Sequence, residues 1–115
     1  MTEAEFRALA LSFPDAVEGV NMGSTFFKVN GKDLTRLLDE GRGYFTGVPT
    51  EEIEMLTEAE PQTFWADSHY KNARCVMVQL APLTPHVARS FLERRFRQIA
   101  KRAAVKAYDE RHASG

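Results

Sequence analysis

The dipeptide Asn30-Gly31 lies between two apolar-rich runs, STFFKV and KDLTRL, and constrains the fold more than any other feature of this chain. Both residues accept positive φ, the conformation that a two-residue hairpin turn demands. The wider stretch GSTFFKVNGKDLTRL also has the glycines and lysines of a phosphate loop. Such a loop needs Gly, four residues, then Gly-Lys-Ser/Thr, so that backbone amides wrap phosphate and a hydroxyl holds magnesium. Here Asp33 follows Gly31-Lys32 and Phe26 occupies the upstream glycine position, so the phosphate-loop reading fails. An antiparallel hairpin remains. A two-residue loop sets its register: Val29 opposite Lys32, Lys28 opposite Asp33, Phe27 opposite Leu34, Phe26 opposite Thr35 and Thr25 opposite Arg36. Phe27 and Leu34 then mark the core face. Lys28 and Asp33 mark a more open face, which Phe26 shares.

The flanking segments give the remaining elements. Thr2-Glu3-Ala4-Glu5 is a capping box, and Phe6, Leu9, Ala10 and Phe13 follow at helical spacing until Pro14. Residues 15–24, DAVEGVNMGS, read as a turn-rich link. A third strand is expected over Tyr44–Val48, then a helix to about Glu60 with Thr50 as N-cap and Ile53 and Leu56 inward. Thr63–Ala66 reads as a short strand. ARCVMVQL reads as a longer one, with Val76, Val78 and Leu80 on one face and Cys75, Met77 and Gln79 on the other. Thr84-Pro85 opens a last helix whose buried stripe is Ala88, Leu92, Phe96, Ile99 and Ala103. Continued to Glu110 it would span about 39 Å, so its final turns are expected to project or fray. Helix, three strands, helix, two strands, helix spells a two-layer α+β domain over residues 1–115, with an antiparallel sheet.

Composition bounds function mainly by exclusion. No basic leader precedes an apolar run, no segment is long enough to span a membrane, and the single cysteine, Cys75, rules out an internal disulfide. These features predict a cytoplasmic protein. Net charge is −1, yet from His86 onward eight Lys/Arg face three acids, leaving an acidic body. A basic segment of that kind marks an anionic partner or simply a solvated helix face. His69, His86, His112 and Cys75 have no metal-ligand spacing, so neither metal nor cofactor is expected. Cys75 reads as a structural thiol, and no catalytic set appears.

Two groups of side chains remain as candidates. The first is cationic: Lys28, Lys32 and Arg36 on the hairpin, Lys71 and Arg74 in the following loop, and Arg94, Arg97 and Lys101 on the last helix. Helical spacing lets the last three follow a phosphate backbone, or only face solvent. The second is Trp65, His69 and Tyr70, beside Lys71, which form either a small ligand site or a loop anchored by its aromatic rings.

Taken in order, EFRALALSFPDAVEG, GSTFFKVNGKDLTRL, HYKNARCVMVQL and FLERRFRQIAKR resemble the MmcQ/YjbR family over about residues 3–102. The chain departs from that family at Lys71-Asn72-Ala73, where a Gly-rich segment is common, and at Cys75, where an aromatic residue is common. The resemblance implies an α+β fold of the secretion-chaperone/CyaY-like kind. It also implies DNA binding through a double-wing arrangement of strands, with modest sequence specificity and no catalytic residues. That is the leading expectation. The alternatives are a protein-interaction module or homodimer using the open sheet face, through Phe26, Met77 and the hairpin edge, and a small-ligand binder at the Trp65–Arg74 loop.

Overall fold

The computed structural model describes residues 1–67 and 74–113. Its elements are α1 (Glu3–Leu11), β1 (Val17–Asn21), β2 (Ser24–Val29), β3 (Lys32–Leu37), β4 (Arg42–Thr46), α2 (Thr50–Ala59), β5 (Phe64–Trp65), β6 (Cys75–Gln79), α3 (Pro85–Ile99) and α4 (Arg102–Ala113). The strands form one antiparallel sheet in the order β1-β2-β3-β4-β6-β5. The fold is α+β, as the sequence predicts, but with one more strand and one more helix.

The hydrophobic layer lies between the sheet and the helices. Phe6, Phe27, Val29, Leu34, Phe45, Val76, Val78, Leu92 and Phe96 are almost wholly buried there. Phe45 stacks on Phe91 at 4.6 Å between ring centroids. Each fully buried Phe or Leu contributes about 1.5–3 kcal/mol, against about 0–1 for a surface ion pair, so this layer dominates stability. The α1 capping box forms as expected: Glu5 N donates to Thr2 Oγ1 at 3.1 Å and Thr2 N to Glu5 Oε1 at 2.7 Å. At α2 the expected cap moves by one residue, with Pro49 at the N-cap and Thr50 already helical.

Three expectations are corrected. The link over residues 15–24 contains β1, an edge strand joined to β2 through Met22-Gly23, both at positive φ. The β2–β3 register holds only next to the turn: Val29 opposes Lys32 and Lys28 opposes Asp33. A bulge then places Phe27 opposite Thr35, Phe26 opposite Arg36 and Thr25 opposite Leu37. An unbroken pleat sends consecutive side chains to opposite faces, yet Leu34 lies in the core and Thr35 opposes the core residues Phe27 and Phe45; the extra residue lets both face inward. The Thr35 hydroxyl donates to the Tyr44 carbonyl at 2.6 Å, so its burial leaves no donor unpaired.

The last helix supplies the third correction. It does not run on and project; Ala100 adopts φ −74°, ψ 152°, and α4 begins afresh at Arg102. The break moves the buried position from Ala103, which is exposed, to Ala104, and it buries Tyr108. Tyr108 stacks on Phe13 at 5.2 Å and lies tilted against Phe96 at 5.4 Å.

Candidate interaction surface

The sheet face away from the helices is divided by the register into a transverse row: Gly19, Phe26, Arg36, Tyr44, Met77, Trp65. The central part of this row is not open. Tyr44, Cys75 and Met77 are buried, with Leu38 and Trp65 packed against them. Met77 is 2% exposed and cannot supply the contact expected of it. Tyr44 donates its hydroxyl to Asp33 Oδ2 at 3.0 Å, and Arg36 lies 3.5 Å from the same oxygen and over the Tyr44 ring. Burial, reinforced by the Asp33 carboxylate, holds the Tyr44 hydroxyl far above its ordinary range. Burial also pushes the Cys75 thiol up, against the pull of a hydrogen bond from Thr46, which suits a structural thiol and not a nucleophile.

Of the eight cations named from the sequence, the seven that lie among the described residues do not converge. Lys28 lies on the sheet face with its Nζ 4.9 Å from the Phe26 ring centroid. Lys32 and Lys101 are exposed at the same end of the molecule, because Asn30 Nδ2 donates to the Ile99 carbonyl at 3.0 Å and ties the hairpin tip to the end of α3. Arg94 and Arg97 point from α3 toward other helices. Arg94 bonds Glu52 of α2 at 3.0 Å, while Arg97 bonds Asp109 of α4 at 2.7 Å and Glu93 at 3.2 Å. The guanidinium of Arg97 holds the Asp109 carboxyl below its usual range. These two arginines knit the helical layer together. Arg74 is exposed, with a positive φ, and its carbonyl accepts from Val48 N.

Of the proposed ligand loop, Trp65 is half-buried beside Met77. His69, Tyr70 and Lys71 lie outside the described residues. Among the described residues, no three His, Cys, Asp or Glu side chains gather as a metal site, and no helix is long and apolar enough to cross a membrane.

The surface that sequence reasoning missed is the β1 edge. Val17 is 60% exposed, Val20 72% and Met22 96%, all on this strand or its turn. Phe26 on the neighbouring strand lies across Gly19, where a Cβ would collide with its ring. The signal was present as the β-branched Val17 and Val20 followed by the turn pair Met22-Gly23. Glycine within the strand masked it. Edge strands commonly carry lysine, proline or a bulge that prevents further pairing; β1 has no lysine or proline and pairs with β2 in unbroken register.

No family model matches the chain, and no curated protein matches it in sequence. Among solved structures it is similar to the crystal structure of Deinococcus radiodurans protein DR2400, whose family-model domain is DUF419. The TM-score is 0.72 at 19% identity, over 96% of this chain and 86% of that one. DUF419 is the YjbR/MmcQ-like family, and the likeness supports the shared fold.

Proposed function

We propose that this chain is an MmcQ/YjbR-like cytoplasmic domain that acts by binding and not by catalysis, and that it takes an extended polypeptide strand along β1. The supporting observation is the β1 edge, where Val17, Val20 and Met22 are exposed beside a backbone row that, among the described residues, pairs on one side only. Main-chain hydrogen bonds supply affinity in such strand addition, and alternate side chains supply selectivity. Selection from a phage-displayed library of random dodecapeptides tests it. Extended, alternately apolar peptides whose binding is lost on Val20→Lys are the expected result. Selected peptides that bind Val20→Lys as well as the parent protein would overturn it.

A second reading, DNA binding with modest sequence specificity, is favoured by the exposed Lys32 at the tip of the β2–β3 hairpin and the exposed Lys101 at the end of α3 tied to it. Against it, Arg94 and Arg97 are engaged by carboxylates and the body of the chain is acidic. Fluorescence anisotropy with a labelled duplex over a salt series separates the two. DNA binding requires an affinity that falls steeply with salt and weakens in Lys32→Gln/Lys101→Gln, and no response at low salt excludes it.

A further inference from the structure

Resting on the strand-addition reading, we infer that the strand β1 accepts is β1 of a second copy, paired antiparallel about a two-fold axis through Gly19. The hairpin geometry selects this arrangement. Asn21 and Ser24 close a two-residue turn, so Asn21, Gly19 and Val17 direct their backbone groups toward β2. Glu18 and Val20 therefore direct theirs outward, and among the described residues no strand pairs with β1 on that side.

Only three symmetric antiparallel registers use those outward groups. Glu18 against Glu18 of the second copy sets like charges directly opposite and is disfavoured. Val20 against Val20 moves Glu18 opposite the turn residue Met22, which is not in the strand, and leaves one bonded pair. Glu18 against Val20, with Gly19 against Gly19, gives two bonded pairs and keeps the acids off each other. Within each chain Arg7 Nε lies 2.6 Å from Glu18 Oε1, a partly exposed pair that lessens but does not cancel the charge.

The same register brings the exposed Val17 and Val20 to the seam. Val20 meets the stem of the second copy's Glu18, and Val17 lies beside Asn21. On the face that Val17, Gly19 and Asn21 share, the two glycines at the axis allow close approach, and the Phe26 ring lying over each brings an aromatic pair to the seam. Both sheets become one continuous sheet with β1 no longer an edge.

Sedimentation equilibrium from about 10 µM to about 1 mM tests the association, since so short a seam gives a weak dimer. The expected result is a rise from the monomer mass toward twice it, abolished by Val20→Lys with unchanged circular dichroism. The register is tested by mixing Glu18→Cys and Val20→Cys chains under mild oxidation, with Cys75→Ser in both. Mixed disulfide dimers should form faster than either homodimer. Homodimers of Glu18→Cys forming fastest, or equal rates for all pairs, would overturn the register. A protein that stays monomeric yet binds the selected peptides overturns pairing with a second copy and leaves strand addition standing. One that does neither overturns both.

Discussion

Replacing Tyr108 with alanine tests whether the C-terminal helix is part of the folded body. Tyr108 is 4% exposed and stacks on Phe13, with Phe96 and His112 against its ring. Its hydroxyl donates to Glu93 Oε2 at 2.9 Å. Truncating a buried aromatic costs about 3–5 kcal/mol, and a helix at the chain end can settle into part of the space, so about 3 kcal/mol is expected. Tyr108→Phe keeps the ring and loses only the hydrogen bond, with a cost of about 1 kcal/mol. Urea unfolding followed by circular dichroism measures both. The alanine variant should show a lower midpoint and a smaller slope, because α4 then exposes its surface before global unfolding. If both variants fall within about 0.5 kcal/mol of the parent protein, α4 is not docked and its assignment to the core is wrong.

Two further predictions concern the buried face behind the sheet. Because the Tyr44 hydroxyl is raised in the folded state, the unfolded chain loses that proton first as pH rises. Stability from this group is complete below the ordinary tyrosine value of 10 and declines above it. Urea midpoints at pH 8, 10 and 11 should therefore fall, and fall less in Tyr44→Phe; parallel curves would remove Tyr44 as the cause. Cys75, buried with a raised thiol, should react with a maleimide far more slowly in the native protein than in urea, and equal rates would contradict its burial.

Local chemistry was sufficient for the parts of this fold that are decided within a few residues. Thr2 with Glu5 caps α1, Asn30-Gly31 turns the β2–β3 hairpin, and Thr84 with Pro85 opens α3. The alternation in CVMVQ also assigned both faces of β6 correctly. What depended on distant partners was not legible. The bulge at Leu34 exists because two consecutive side chains both find space in the core. The break at Ala100 lets α4 fold back on Phe96 of α3 and on Phe13, which is far away in sequence, as packing surface for Tyr108.

The candidate site divides along the same line. Sequence alone determined which residues are cationic, that the single cysteine has no disulfide partner within the chain, and that one end of the chain is basic. Only tertiary structure decided which of those charges are already occupied. Arg94 and Arg97 meet carboxylates on α2 and α4, while Lys32 and Lys101 are brought to one end by the Asn30–Ile99 hydrogen bond. It also decided that Val17 and Val20, read in sequence as part of a link, lie on a sheet edge. Composition fixes what a side chain can do, but burial and pairing depend on what the folded chain sets beside it, and a five-residue strand holding a glycine is defined by its neighbour more than by itself.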